Sequence, residues 1–356
     1  MKSQVNDQIE LAKCIITDAF AKCAADLSAL RDIMTMRSRV EHEGLSFLTL
    51  TLPSLGKDFE KALDQGYVDS TLFKSFKKNG AIPAFLQGML SLVFFRGTGR
   101  RLEHVDVQAI EGIREIAYAF KKLEIDCTLQ RVQSALDGFK TVEHVLNETY
   151  IKSHHFLEFV EVADCLWDCL RNINVEEAVP RHGPGATAEG IIGNNKYTWQ
   201  FWYERLEPYF PFFANAYTLG SYGSKEFENV TFVSSEAELP VKVTPVPKTQ
   251  KGPRIIAIEP TCMQYAQQAI RKQLYAVIES SKLSAGHVNF TNQMINRELA
   301  MKSSIDGSMA TLDLSDASDR VYGELALNMF NCNPDLRDAI DACRSTHAKL
   351  PDGTIV

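Results

Sequence analysis

The stretch that most constrains this chain is Ala310 to Arg320, reading Ala-Thr-Leu-Asp-Leu-Ser-Asp-Ala-Ser-Asp-Arg. An apolar run from Met309 to Leu312 delivers Asp313, and Asp316 and Asp319 follow at once. The run predicts a strand whose tip presents hard oxygen ligands to a divalent ion. Arg320 is expected to open an amphipathic helix. The Asp-x-x-Asp-x-x-Asp spacing lacks the glycine and the ligand order of an EF-hand loop. Asp313 is the candidate metal ligand. Asp316 reads equally well as a helix cap, and Asp319 as a first-turn partner of the helix dipole.

An acidic strand end asks for a substrate that a metal would accompany, and a basic segment lies upstream. Val241 to Val246 and Arg254 to Ile258 are β-prone runs on either side of a Pro- and Gly-rich turn, with Lys248, Lys251 and Arg254 in or beside it. Residues 242–272 hold six basic residues and one acid, a local charge of +5 in a chain of net charge −7. The whole protein is therefore no basic coat for nucleic acid, but it has room for a local basic groove. Lysine point charges and an arginine fork suit a polyphosphate; the plainer alternative is a solvated hairpin tip. The loop Arg96-Gly-Thr-Gly-Arg-Arg101 is open to both readings, a solvated turn or a phosphate contact.

The remainder is mostly helical in pattern. Apolar residues recur at helical steps over 5–40, and Ser54 and Gly66 bracket a short helix. Asp106 is placed to cap a helix carrying Val107, Ile110, Ile113 and Ala117, and 128–150 and 155–172 repeat the pattern. Helices are also expected over 261–282, after 292 through Leu299, and near 319–330 and 335–347. The alternation in Gly44 to Pro53 predicts a short strand. Pro180-Arg-His-Gly-Pro-Gly-Ala-Thr187 is a sharp turn without the Gly-Lys-Ser/Thr of a P-loop. The aromatics between Tyr197 and Tyr222 either pack a core on helices or offer stacking faces for bases.

The 356 residues suffice for two or three substructures with cores of their own. The eight cysteines are scattered, and Cys165 and Cys169 match one helix face better than a zinc knuckle. No disulfide framework is indicated, so a reducing cytoplasm is the expected compartment. Lys2, Asp7, Glu10 and Lys13 leave no apolar signal core, and the run Met89 to Phe95 is far short of a bilayer span, so no membrane partner is expected.

Asp-Leu-Ser-Asp-Ala-Ser-Asp at 313–319 resembles the first palm motif of the replicases of single-stranded RNA bacteriophages, levivirus-like RNA-directed RNA polymerase β chains. Asp306-Gly-Ser-Met-Ala-Thr-Leu and Asn292-Gln-x-x-Asn-x-x-Leu-Ala300 are similar to the same family. So is Val246-Pro-Lys-x-x-Lys-x-x-Arg254, which is like its fingers motif. Arg181-His-Gly-Pro-Gly-Ala186 and Gly44 to Pro53 resemble its N-terminal segments.

The resemblance implies an α+β, right-hand polymerase-like fold. Residues 1–178 would be a mainly helical N-terminal region, 179–305 a fingers region with the basic nucleotide-channel hairpin, and 306–356 the first part of a palm. It implies template-directed RNA synthesis from ribonucleoside triphosphates by two-metal nucleotidyl transfer, with Mg²⁺, in the cytoplasm of a bacterial host. Asp313 would be a catalytic metal ligand. Lys248, Lys251 and Arg254 would contact the triphosphate. Ser318 and Asp319 would select the ribose 2′-hydroxyl, and Gln293 and Asn296 would shape the same channel.

Template RNA, host translation elongation factors and a ribosomal protein are the implied partners. A family member is expected to continue into a Gly-Asp-Asp hairpin with the remaining metal ligands and then a thumb. This sequence contains no Gly-Asp-Asp, so the expectation is a C-terminally truncated copy, inactive alone. The competing readings are a catalytically silent RNA- or nucleotide-binding fragment and a reverse transcriptase. The polar Ser318 beside Asp319 fits ribonucleotides better than the second of these.

Overall fold

The computed structural model describes residues 2–23, 28–149, 155–216, 228–314 and 316–356. Tyr217 and Tyr222 of the aromatic stretch lie outside these residues, as does Leu27 of the first helical pattern. The chain divides into two compact units. The first holds Met1–Ala135 with Val246–Arg254, and the second Leu136–Pro245 with Ile255–Val356. The elements are helices and small sheets, in agreement with an α+β class.

In the first unit α1 (Lys2–Ala21), α2 (Leu30–Glu43) and α3 (Leu52–Gln65) are followed by a two-strand pair, β1 (Lys78–Asn79) and β2 (Ile82–Pro83). Then come α4 (Gln87–Ser91), α5 (Val107–Tyr118) and the start of α6 (Leu129–Thr149). Ile16, Ala19, Met36, Val40, Phe47, Phe59, Phe94 and Ile113 share one core. The single helix expected over 5–40 is thus two helices. Folding back lets Ile16 of α1 and Met36 of α2 reach the same core, and it leaves Leu30 and Met34 exposed.

Asp106 caps α5 as expected, accepting from the amides of Gln108 (2.8 Å) and Ala109 (3.1 Å). Small residues bring the helices close. A Cβ on Gly56 would lie 2.7 Å from Tyr118 Cζ, and one on Gly112 2.6 Å from Met89 Cε.

The strand expected over 44–53 is absent. Phe47–Thr51 forms a π-helical turn that runs into α3, which has Pro53 in its first turn and ends on Gly66 in the left-handed region at φ 81°. Phe47, Leu48 and Thr49 are all buried in succession. A half-buried strand cannot do that, because its side chains alternate between faces.

The second unit continues with α7 (His155–Leu166), β3 (Phe201–Tyr203), α8 (Phe212–Asn215) and β4 (Thr231–Val233). Strands β5 (Val241–Thr249) and β6 (Gly252–Ile258) follow, then α9 (Thr261–Ser280), α10 (Met294–Asp306), α11 (Gly323–Asn328), α12 (Pro334–Ala342) and β7 (Ala348–Lys349). Strand β3 runs parallel to β4, and the larger sheet has the order β6-β5-β7 with β5 and β7 parallel. Trp199, Trp202, Tyr203, Phe210 and Phe212 pack with Cys262, Met263, Ala266 and Ile270 of α9. Of the two readings of the aromatic stretch, core packing therefore holds for these residues, while Tyr197 and Phe213 are exposed.

Buried Asn333 ties this unit together. Its amide donates to the carbonyls of Leu170 (3.0 Å) and Ile173 (2.8 Å), and its oxygen caps α12 by accepting from Leu336 N at 3.1 Å.

The strand expected at 309–312 is also absent. Residues 307–314 have no regular structure, and Leu312 and Leu314 are 86% and 76% exposed. A strand needs a hydrogen-bonded neighbour. Among the described residues no strand lies beside this run, so its apolar residues have nothing to bury against. Arg320 does not open a helix either. Residues 316–320 form a turn with Asp316 at φ 52°, and α11 begins at Gly323.

Candidate functional site

The basic hairpin forms as expected but is longer. Strands β5 and β6 flank a turn at Gln250 and Lys251, and the tip belongs to the first unit. Within that unit the tip is held through two backbone carbonyls and one side chain. Arg131 Nη1 donates to the carbonyl of Gln250 at 2.7 Å. The Cys127 thiol donates to the carbonyl of Thr249 at 3.1 Å. The Thr49 hydroxyl meets the side-chain oxygen of Gln250.

Lys248, Lys251 and Arg254 are exposed, and none has an ion-pair partner among the described residues. An anchored backbone carrying unpaired cations is what an anion site needs: the charges are available and the loop loses little entropy when a ligand orders it. Arg131, Thr49 and Gln250 were not legible from motif reading. The one sequence signal was Thr49, a polar residue inside an apolar run that proves buried.

At its base the hairpin is held within the second unit. Arg205 Nε donates to Glu238 at 2.7 Å, and its other nitrogens donate to the carbonyls of Asp341 and Arg344. The Tyr203 hydroxyl accepts from Leu239 N at 3.0 Å.

The acidic set lies in the second unit. Asp313 and Ser318 are exposed and Asp319 is partly exposed, with Ser318 Oγ 3.5 Å from Asp319 Oδ1. Asp316 accepts from Arg320 N through its carbonyl at 3.1 Å, a local turn contact. Among the described residues no three His, Cys, Asp or Glu side chains converge to hold a metal ion. Asp313 therefore stands as a single exposed carboxylate, and these residues by themselves do not build a Mg²⁺ centre. Just upstream, Asp306 accepts from Ser308 N at 2.9 Å, and Ser308's hydroxyl and amide hold its carboxyl below the usual range. Gln293 and Asn296 sit exposed at the start of α10. The loop before α10 is tied to Glu279, which accepts from Phe290 N (2.6 Å) and Thr291 N (2.8 Å).

The turn 181–186 opens on a cavity of about 630 Å³ within the second unit. Beneath it His182 packs on Tyr197, Trp199 and Tyr265. Burial, then the Lys196 ammonium, push His182 down to about 4, against a weaker pull from the Lys196 backbone.

Residues 228–356 match the family described as RNA replicase, beta-chain. Over 111 residues the chain is 35% identical to the RNA-directed RNA polymerase beta chain of Escherichia phage MS2, covering 31% of this chain and 19% of that protein. Over 115 residues it is 34% identical to the RNA-directed RNA polymerase subunit beta of Escherichia virus Qbeta, covering 32% and 18%. A beta chain from Enterobacteria phage GA is 38% identical over 88 residues, which cover 24% of this chain and 15% of that protein. In this region the chain is similar to the replicase beta chains of RNA phages. The matched stretch spans less than a fifth of the length of these relatives. Lys248, Lys251, Arg254, Asp313, Ser318 and Asp319 all fall inside 228–356, whereas the turn at 181–186 falls outside it. Among the described residues no helix is long and apolar enough to cross a membrane.

Proposed function

We propose that this chain takes part in template-directed RNA synthesis as an RNA-directed RNA polymerase of the phage replicase type, using ribonucleoside triphosphates. The observation that carries the reading is the anchored hairpin tip with unpaired Lys248, Lys251 and Arg254, inside the region similar to replicase beta chains. In this proposal those three side chains neutralise the triphosphate. Ser318 and Asp319 lie against the ribose and prefer its 2′-hydroxyl. Asp313 would offer one carboxylate to a Mg²⁺ ion, which when bound would supply charge stabilisation for nucleotidyl transfer, although no further acid side chains converge with it among the described residues. Residues 179–305 serve as a fingers-like region and 306–356 as palm sequence. The proposal extends to template RNA as partner. It extends also to host translation elongation factors and a ribosomal protein, to be sought by co-purification from the bacterial host.

The lone carboxylate at Asp313 favours a second reading, a nucleotide- or RNA-binding chain that is catalytically silent by itself. Nucleotide incorporation by 1–356 on a primed RNA with Mg²⁺ separates the two. Incorporation that is lost in Asp313→Ala supports the polymerase reading. ATP binding without incorporation, weakened when the three cations are neutralised, supports the silent one. Equal use of deoxyribonucleotides would count against the role of Ser318 and Asp319.

A further inference from the structure

The cavity beside the turn 181–186 has features that neither the hairpin nor the acidic segment explains. Lys196 is fully buried with no carboxylate partner, and its ammonium donates to the carbonyls of Gly183, at 2.6 Å, and of Gly185. A buried charge is costly unless something compensates it. Here two carbonyls of one short loop do so, which fixes the loop's orientation and leaves net positive charge beneath it. The peptide bonds are trans, so the Ala186 N–H points opposite to the Gly185 carbonyl, away from Lys196. That N–H has no acceptor among the described residues.

Gly183 and Gly185 are not glycines for want of a left-handed backbone, since neither has a positive φ. A Cβ on either would meet no atom within 4 Å. The loop therefore offers bare backbone to open space.

Two arginines line the same cavity. Arg181 is exposed, and Arg271 packs its guanidinium over Tyr275 at 5.4 Å. Neither has a carboxylate partner among the described residues. Gln264 lines the wall with its Oε1 buried and without a partner. The one acid in the lining, Glu259, is turned to the Ser345 hydroxyl at 2.5 Å, and burial raises its carboxyl above the usual range.

We propose that this cavity holds a backbone phosphate of single-stranded RNA, gripped by Arg181 and Arg271 with the 183–186 backbone closing against it. The choice of RNA as the source of the phosphate rests on the polymerase reading above. Two arginines match the charge of one or two phosphodiesters; a free triphosphate is the other source of the same chemistry. The contact reads no base, so it tracks the strand independently of sequence and weakens with salt.

The test uses the full chain, a fluorescent oligouridylate and ATP, with binding followed across KCl concentrations. The double variant Arg181→Gln/Arg271→Gln should bind the oligonucleotide at least ~10-fold more weakly, with a salt slope lower by roughly 0.7 to 1.4, and should keep its ATP affinity. Gly185→Val, which places a side chain in open space, should keep its thermal midpoint and also lose RNA affinity. Unchanged RNA affinity and slope in both variants would overturn the proposal. So would loss of ATP binding alone, which would assign the cavity to a free triphosphate, or an absence of RNA binding by the unmodified chain at low salt. ATP binding that survives neutralisation of Lys248, Lys251 and Arg254 would instead defeat the hairpin assignment and leave this cavity standing.

Discussion

The hairpin tip and the acidic segment were the two halves of one expectation, and the fold treats them differently. The tip at 246–254 has its carbonyls at Thr249 and Gln250 bonded by Cys127 and Arg131, and a β ladder on either side of the turn. The segment 307–314 has no ladder, no buried apolar residue and no convergent acids among the described residues. Both carry exposed charge. Only the first has its charges mounted on a backbone that the surrounding chain over-determines. A charged side chain is a site when its main chain is fixed, because then the ligand does not have to order the loop as it binds.

The largest effect should appear in amide hydrogen exchange. Amides of 307–314 should exchange at least ~100-fold faster than the ladder amides of β5 and β6, since they have no strand partner. Similar protection in both would break the comparison. Next, the triple variant Lys248→Ala/Lys251→Ala/Arg254→Ala should lose roughly 30- to 100-fold in ATP affinity by calorimetry, on the basis of charge-assisted contacts. Asp313→Ala without Mg²⁺ should change that affinity less than about 2-fold, because removing one exposed carboxylate takes away no triphosphate contact.

Acid should then act on the second unit through His182 and not through the exposed acids. Its folded value near 4 lies below its ordinary 6.5, so between these pH values the unfolded chain binds the extra proton. Stability should therefore be full above pH 6.5 and fall on acidification toward 4. The loss should be roughly 1 to 2 kcal/mol once solvent screening at this partly buried residue is allowed for. Chemical denaturation across that window, compared with His182→Phe, measures it; a flat difference would refute the assignment. Arg131→Ala should act more weakly than the triple variant. It touches no ligand, yet by freeing the Gln250 carbonyl it should weaken ATP binding about 5-fold. It should also speed exchange at the turn, which a purely electrostatic role for Arg131 would not do.

Sequence alone reached the parts of this protein that depend on local rules. The helices with strong periodicity, the Asp106 cap, the Gly66 helix end and the two hairpin strands follow from nearest-neighbour spacing and backbone freedom. The motif at 313–319 and the cations at 248, 251 and 254 were enough to find the replicase resemblance, which the match over 228–356 then supports.

Tertiary structure decided what depends on partners. Gly44 to Pro53 alternates like a strand, but Phe47, Leu48 and Thr49 are buried together and take a helical turn. Met309 to Leu312 is apolar like a strand, but pairing is a property of two segments and no second one lies beside it among the described residues. The helix pattern over 5–40 breaks because only a folded-back pair can put Ile16 and Met36 into one core. Lys196 shows the same limit from the other side. Nothing in its neighbours announces a buried charge, and only the fold places its ammonium under the carbonyls of Gly183 and Gly185. Local chemistry can be read residue by residue; burial and pairing need the rest of the chain to be in place.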